Sequence, residues 1–311
     1  MTWGVVLNPP ASGNLVDDVV AQARQAVEAG VRSAWLGQLF SHDSVALAGL
    51  VGREVPGLHV GTSAVPVFAR HPLLVAGQAQ TSQAATHGRY HLGLGLGAKD
   101  LVEGAFGVPY ERPIAVLREF LTALRTLLET GTADFHGELL TAAPPLPVSV
   151  PGADPTVPVL VAAMGPQALR ATGELADGAL PFLAGPRTLG EHIVPTLTAA
   201  AERAGHPAPR VVALVPAVVT SGAGVEAARE AAATQTAFYD RIPSYQRVIA
   251  LEGASKAAEL VVVGDEEKVA AEARRYAEAG ATEIVFTQTD LTGDEARLRT
   301  WRLAGELAAG A

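Results

Sequence analysis

Two adjacent side chains of this sequence, those of His42 and Asp43, form a pair that could move a proton. Imidazole is a common general acid or base, because its ordinary pKa lies near neutrality. An aspartate at the start of a helix is, however, more often a cap that accepts backbone hydrogen bonds. Both interpretations place the pair at the start of a predicted helix, residues 43–55.

A run of alternating leucine and glycine, residues 92–97, follows a turn at residues 87–89. Because successive side chains of a strand point to opposite faces, its glycines share one face. Glycine weakens a strand unless a backbone or a flat ligand comes close to it. The run therefore predicts either clearance for a ligand or a barrel interior that packs around small residues. A loop is expected at residues 98–109, and this argues against a dinucleotide-binding motif, whose glycines open a helix directly. The three glycines are Gly93, Gly95 and Gly97.

Other reactive groups are few. The sequence lacks the Gly-x-Ser-x-Gly nucleophile turn, the His-Glu-x-x-His zinc motif and a phosphate loop ending in Gly-Lys-Ser/Thr. It has no cysteine, which excludes disulfides, thiolate metal sites and cysteine nucleophiles. The histidines are scattered, so no metal site is expected. His71 is expected in a turn before Pro72, and His91 is expected to point outwards.

Charge and hydropathy exclude two classes of partner. With 23 basic and 32 acidic residues the net charge is −9, which argues against nucleic-acid binding. No apolar stretch reaches the length of about 18 residues that a membrane span requires. The N-terminus has no basic leader and enters a strand at once, so we expect a cytoplasmic protein.

Strand and helix signals alternate eight times along the 311 residues. The predicted strands cover residues 3–8, 33–37, 58–63, 90–95, 159–163, 178–182, 210–219 and 283–287. The predicted helices cover residues 15–29, 43–55, 72–85, 111–130, 166–176, 186–204 and 225–253, and the last barrel helix covers 265–279. Short apolar strands separated by helices are typical of a parallel sheet buried on both faces.

Eight such units predict an α/β fold, a (β/α)8 TIM barrel, whose usual size is about 250 residues plus insertions. The extra residues fall at 98–110, 132–158 and 220–264, and we expect insertions at the C-terminal face of one domain, 1–311. A doubly wound sheet is the alternative, but it needs a domain boundary that the sequence does not show.

Barrel enzymes carry their chemistry on residues that directly follow the strands. Here a candidate anion site is the stretch 161–167, where a strand runs through Gly165 into a helix with Pro166 in its first turn. Such a turn leaves helical N–H groups free for an anion, although an ordinary strand–helix turn has the same sequence. The other residues at strand ends are Asn8, Gln38, Ser63, Ala64, Gly97, Ala98, Lys99, Met164, Pro181, Phe182 and Gln288.

Several stretches, in this order, resemble the bacterial luciferase-like family, and within it the branch that depends on the deazaflavin coenzyme F420. The resemblance extends from the first strand to the eighth. Each motif is short, and the ordered set is more specific for the family than for the cofactor, because members that use flavin mononucleotide (FMN) share the scaffold. The matching stretches are residues 61–65, 70–72, 78–86, 88–95, 162–166, 174–178, 263–265 and 279–280.

The resemblance implies a cofactor site at the barrel mouth. The cofactor ring would lie against Gly95 and beside a bulge with a non-proline cis peptide, which maps onto Ser63–Ala64. The cofactor phosphate maps onto three strand ends: Gly97, Ala98 and Lys99; Met164 and Gly165; and Leu180 and Pro181. Asn8, Gln38 and Ala163 complete the expected cofactor contacts.

The implied reaction is hydride transfer between F420 and a small organic substrate, most simply the reduction of an activated double bond, a carbonyl or an imine. One alternative is an FMN-dependent monooxygenase fed by a separate flavin reductase, and another is a non-catalytic ligand-binding barrel. Many F420 members have an acidic residue followed by histidine after the second strand. This sequence has Gln38 and Leu39 there, and His42 follows three residues later, so the catalytic candidates are His42 and Gln38.

The resemblance also implies a homodimer, and apolar helical faces such as that of residues 72–85 would need cover. Substrate contacts are expected from the two long connections after strands four and seven. Their aromatic side chains either line a pocket or pack a loop against the barrel: Phe106, Tyr110, Phe238, Tyr239 and Tyr245.

Overall fold

Eight parallel strands close into a barrel in the computed structural model, which describes residues 1–10 and 13–310. β1 pairs with β2 and β8, and β7 pairs with both β6 and β8, so the eight strands form a closed ring. The predicted (β/α)8 barrel is thereby confirmed. Its strands are β1 (Thr2–Val6), β2 (Ser33–Leu36), β3 (His59–Thr62), β4 (Tyr90–Gly95), β5 (Val159–Val161), β6 (Gly178–Ala179), β7 (Arg210–Val219) and β8 (Glu283–Thr287).

Helices follow the strands and cover the outside of the barrel. They are α1 (Leu15–Glu28), α2 (Ser44–Glu54), α3 (Pro72–Ala85), α4 (Lys99–Phe106), α5 (Pro113–Thr130), α6 (Pro166–Leu175), α7 (Val194–Arg203), α8 (Gly224–Thr236), α9 (Pro243–Glu252), α10 (Glu266–Glu278) and α11 (Asp294–Ala309). A turn at Pro186–Thr188 and a π-helical turn at Leu189–Ile193 lead into α7. Within the described residues, none of these helices is both long and apolar enough to span a membrane.

Side-chain caps fix where several helices begin. The Asn14 side chain accepts hydrogen bonds from the backbone N–H groups of Val16 and Asp17, at the start of α1. His71 caps α3 through Nδ1, which accepts from the Leu73 N–H at 3.2 Å, and Pro72 follows in the first turn. These contacts satisfy N–H groups that have no partner inside the helix.

Three predictions about helices were wrong. Residues 225–253 are not one helix, because α8 ends at Thr236 and α9 begins at Pro243. Residues 98–109 are not a loop, because α4 begins at Lys99 directly after the glycine run, so the stated argument against a dinucleotide motif fails. Residues 265–279 are not the last helix of the barrel, because α11 follows β8 and packs against β1 and β7. A short strand at Val262–Gly264, also missed, pairs with the end of β7.

Apolar side chains fill both the barrel interior and the layer between barrel and helices. Leu92 and Leu94 lie in the outer layer. Gly93 faces inwards, where an added Cβ would lie 1.8 Å from the Thr62 carbonyl oxygen and 2.5 Å from Leu180. Packing alone therefore explains Gly93. The interior cluster consists of Trp35, Leu160, Leu180, Val212, Leu214 and Val285.

Polar groups close the N-terminal end of the barrel. Glu283, whose side chain is 4% exposed, accepts from Ser33 Oγ at 2.6 Å, Trp35 Nε1 at 2.9 Å and Arg210 Nη2 at 2.9 Å. The other terminal nitrogen of Arg210, Nη1, donates to His91 Nδ1 at 3.2 Å. The prediction that His91 points outwards was wrong, because His91 shares the face of Gly93 and Gly95 and stacks on Trp35.

Acid should weaken this fold through His91. Burial first, and then the positive charge of Arg210, lower the pKa of His91 to about 3. Between that value and the usual pKa near 6.5 the unfolded chain binds the extra proton, so stability is full above about pH 6.5 and falls as the pH drops towards 3. We expect His91→Gln to flatten the acid side of a plot of urea midpoint against pH. The control His192→Gln, at an exposed residue, should leave that slope unchanged, and a slope that His91→Gln does not alter would contradict the assignment.

Candidate functional site

A cavity of about 1250 Å³ opens at the carboxyl ends of the strands. That is larger than the roughly 300–1,000 Å³ of a usual small-molecule pocket. Loops after β2, β3, β4 and β7 form its walls. Its lining includes Gln38, His42, Asp43, Ser63, Ala64, Arg70, Gly95, Gly97, Leu180, Phe182, Leu214, Tyr239, Tyr245 and Gln288.

One wall of this cavity is formed by residues with small side chains or none. The Ser63–Ala64 peptide is cis, as the resemblance implied, and the next residues, Val65–Pro66, pair with the end of β4. A Cβ built on Gly95 would lie 3.6 Å from the Cβ atoms of Ala64 and Ala162, which is ordinary contact distance. Gly95 thus leaves open space that the packing does not use, in contrast to Gly93.

The loop between β2 and α2 positions His42 at the cavity. His42 Nε2 lies 3.3 Å from the Gly37 carbonyl oxygen, which only accepts, so Nε2 carries the proton in this arrangement. Nδ1 lies 3.1 Å from Ser41 Oγ and accepts its hydroxyl proton. The imidazole is therefore held at both nitrogens by its own loop and faces the cavity.

Gln38 holds this loop together. Its Oε1 accepts from the backbone N–H and the hydroxyl of Ser44, at 3.1 and 3.0 Å, and its Nε2 donates to the carbonyl oxygens of Leu39 and His42. A neutral carboxamide does not act as a general acid, unlike imidazole, and both ends of this one bind the loop, so the geometry favours a structural role for Gln38.

Asp43 and Arg70 pair at the cavity wall. Asp43 caps α2, because Oδ1 accepts from the N–H groups of Val45 and Ala46 at 3.0 and 2.9 Å. Its Oδ2 accepts hydrogen bonds from both terminal nitrogens of Arg70, each at 3.3 Å. The capping interpretation of Asp43 is thus confirmed. Arg70, which also contacts Gln38 Oε1 at 3.3 Å, was not singled out as a site residue, although residues 70–72 were part of the resemblance.

The aromatic candidates divide between the two expected roles. Tyr110 packs a loop: its ring stacks on Phe68 at 4.7 Å between centroids, and its hydroxyl donates to the Gly97 carbonyl. The others line the cavity, where Tyr239 and Tyr245 meet Phe182 edge to face at 5.2 and 6.1 Å. Burial raises the pKa of both tyrosines, so their hydroxyls keep their protons.

The predicted site residues fall into two groups. The cavity lining brings together Gln38, His42, Ser63, Ala64, Gly95, Gly97 and Leu180. Asn8 lies outside it and bonds to Asp290 and Gln22. The remaining predicted residues also lie outside the lining: Ala98, Lys99, Ala163, Met164, Gly165 and Pro181. Lining residues absent from the prediction, such as Phe40, Leu74 and Phe68, come from loops whose path the sequence does not specify.

The first turn of α6 has no side-chain cap. Gly165 is its N-cap and offers no side-chain hydrogen bond to that turn. A Cβ on Gly165 would meet no atom within 4 Å. The anion site expected here stays a prediction.

The sequence of the chain is similar to a protein-family model and to several known proteins. Residues 4–283 match a family model described as luciferase-like monooxygenase. An uncharacterized protein of Mycobacterium tuberculosis is 31% identical over 255 residues, which cover 79% of this chain and 74% of that protein. An F420-dependent glucose-6-phosphate dehydrogenase of Rhodococcus erythropolis is 27% identical over 264 residues, covering 78% and 76%.

Solved structures share the whole fold at low identity. An F420-dependent secondary alcohol dehydrogenase, in complex with an F420–acetone adduct, superposes with a TM-score of 0.80 at 19% identity, covering 98% of this chain and 97% of that one. The oxygenating constituent of 3,6-diketocamphane monooxygenase from Pseudomonas putida, with FMN, gives 0.77 at 16%, covering 100% and 98%. Similarity at this level supports the barrel fold alone.

Proposed function

From the premise that this chain belongs to the luciferase-like monooxygenase family, we propose that it is an F420-dependent oxidoreductase that transfers a hydride to or from a small organic substrate. The observation that carries the proposal is the open wall at Gly95 beside the Ser63–Ala64 bulge. The Rhodococcus relative that is named as an F420-dependent dehydrogenase supports the choice of cofactor.

The residues of this wall fit a flat ring. Gly95 leaves unoccupied the space that a Cβ would fill, and Ala64 and Ala162 present only methyl groups around it. We assign the cofactor ring to this wall and its phosphate to the start of α6 at Gly165, which lies outside the cavity lining. The residues proposed to surround the phosphate are Gly97, Ala98, Lys99, Ala163, Met164, Leu180 and Pro181. Asn8 also lies outside the lining, and its side-chain amide donates to Asp290.

When bound, F420 supplies or accepts the hydride at carbon five of its ring. The chain itself must orient the substrate, exclude water and move one proton. His42 is the proposed proton donor, because its ring faces the cavity and its Nε2 can give up a proton to substrate once it turns away from the Gly37 carbonyl, 3.3 Å distant. Gln38 positions His42 by holding the β2–α2 loop.

A titration of the purified chain with F420 and, separately, with FMN tests the cofactor. Each is followed by quenching of its own fluorescence. We expect F420 to bind and FMN to bind more weakly. Tighter binding of FMN would favour the alternative, a monooxygenase fed by a separate flavin reductase, and binding of neither would favour a non-catalytic barrel.

Replacing His42 should separate chemistry from binding. We expect His42→Asn to leave F420 affinity within about twofold and to lower turnover by about 10²–10⁴-fold, the contribution of a general acid. Ser41→Ala is the matched control, because it removes only the hydrogen bond to Nδ1 and should cost much less. Unchanged turnover in His42→Asn would assign the proton to another group.

The homodimer, the cytoplasmic location and the single domain remain proposals. On α3, the exposed large apolar side chain within the described residues is Leu74, and it lines the cavity. Its exposure therefore has an explanation other than a subunit interface, and the dimer rests on the family alone. Light scattering at micromolar concentration tests it, and a monomer would count against it.

A further inference from the structure

Exposed apolar side chains gather around the mouth of the cavity. Phe40 is 69% exposed and Phe238 is 47% exposed, values unusual for phenylalanine. Large exposed apolar patches mark binding surfaces, whereas single exposed residues need no explanation. We call this group the apolar rim: Leu39, Phe40, Leu74, Leu101, Phe106 and Phe238.

The rim comes from separate parts of the chain. Phe40 follows β2, Phe106 ends α4, and Phe238 follows α8, yet the rings of Phe40 and Phe106 meet at 5.8 Å between centroids. Elements distant in sequence thus bring apolar groups to one opening, continuous with the lining inside. This continuity points to an occupant that enters the cavity.

Inside the rim, histidines aside, the charged side chains of the lining neutralise each other. Among the residues that the structure describes, the other charged lining residues are Arg70 and Asp43, and these pair with each other at 3.3 Å. Arg70 also contacts the side-chain oxygens of Gln38 and Gln78. Apart from His42 and His71, the described lining residues therefore offer a charged substrate no free counter-charge to compensate for its lost hydration.

Two tyrosine hydroxyls supply hydrogen-bonding groups in the cavity lining. Tyr239 and Tyr245 line the cavity with ring centroids 4.7 Å apart. No hydrogen bond joins either hydroxyl to another group in residues 1–10 and 13–310. Both remain available to donate to an oxygen of a bound molecule.

We propose that the substrate is a large, uncharged, mainly apolar molecule that fills the space between the cofactor and the apolar rim, with one hydrogen-bond-accepting oxygen towards Tyr239 and Tyr245. This rests on the proposed function for the identity of the reaction but not for the binding preference. The cavity volume of about 1250 Å³ accommodates such a molecule beside a cofactor ring.

The test uses the full chain and the neutral fluorescent probe N-phenyl-1-naphthylamine. The probe is displaced by a series of 2-alkanones from 2-butanone to 2-decanone and by carboxylates of equal chain length at neutral pH. We expect the alkanones to bind about three- to fourfold more tightly for each added methylene. The carboxylates should bind at least about tenfold more weakly than the matching ketones, since each must desolvate its charge. Affinity that does not depend on chain length, or equal binding of the carboxylates, overturns the proposal.

Variants of the rim locate the binding. Phe106→Ser combined with Phe238→Ser should weaken 2-decanone about tenfold. Leu146→Ser, which changes a 72% exposed side chain that is not part of the lining, should have no effect. Equal affinities for the two variants refute a role for the rim. A change in oligomeric state in the rim variant, measured by light scattering, would make the rim a subunit contact and also refute the proposal.

The F420 titration distinguishes the two failures. If F420 binds but affinity does not rise with the chain length of the alkanone, only the proposed substrate class is rejected. If affinity rises with chain length but F420 does not bind, only the proposed function is rejected.

Discussion

Gly95→Val should give a folded protein that binds F420 at least tenfold more weakly than the unaltered chain, a loss of about 1.4 kcal/mol. The added Cβ meets only ordinary contacts, at 3.6 Å from Ala64 and Ala162, so the barrel should accept it. Its methyl groups would then project into the space assigned to the cofactor ring. Valine also suits a strand, which removes backbone preference as a cause.

Fluorescence quenching measures the affinity, and urea unfolding verifies the fold. Gly104→Ala is the control, because a Cβ there meets nothing within 4 Å and its helix, α4, contributes other residues to the cavity wall. Gly93→Ala is not an equivalent variant, since its Cβ would overlap the Thr62 carbonyl and damage the barrel itself. F420 affinity within threefold in Gly95→Val would place the ring elsewhere.

Glu283→Ala should destabilise the protein by about 3–5 kcal/mol, the cost of leaving a buried ion pair broken. The change removes the acceptor for Ser33, Trp35 and Arg210 together. The guanidinium of Arg210, one third exposed, is partly relieved by water, so the lower part of that range is the expected value.

Urea unfolding followed by circular dichroism measures the change. Glu283→Gln keeps the shape and an acceptor oxygen, and should cost less than the alanine variant. F420 affinity of the folded variants should not change, because Glu283 lies at the opposite end of the barrel from Gly95. A loss below about 1 kcal/mol for Glu283→Ala would show that the cluster does not stabilise the fold.

The strands were predictable because each is a short apolar run between turn residues. Strands β4, β7 and β8 agree with the prediction at both ends, and the other five strands differ from it by one to three residues at one or both ends. The missed helices lack a clean apolar pattern: in α4 the fully buried residue is Val102, and α11 buries Arg297 and Thr300 among its apolar residues. Arg297 is placed over the Trp301 ring at 4.6 Å, a contact that periodicity does not reveal.

The candidate site was less predictable than the fold. Gly93 and Gly95 share a face and a residue type, but Thr62 and Leu180 fill the space at one and leave the other open. That difference depends on neighbours far along the chain. Similarly, Gln38 and His42 were paired as candidates, and only the loop geometry shows that one holds the other in place.

The closed N-terminal end of the barrel has a kinetic consequence. Trp35, His91, Arg210 and Glu283 occupy that end, and apolar side chains fill the interior above them, so we expect ligands to enter from the carboxyl ends of the strands. In the proposed arrangement, the cofactor at Gly95 lies deeper in the cavity than a substrate held by the apolar rim. We therefore expect the cofactor to bind first and leave last, and a rim-bound compound to slow the release of the cofactor.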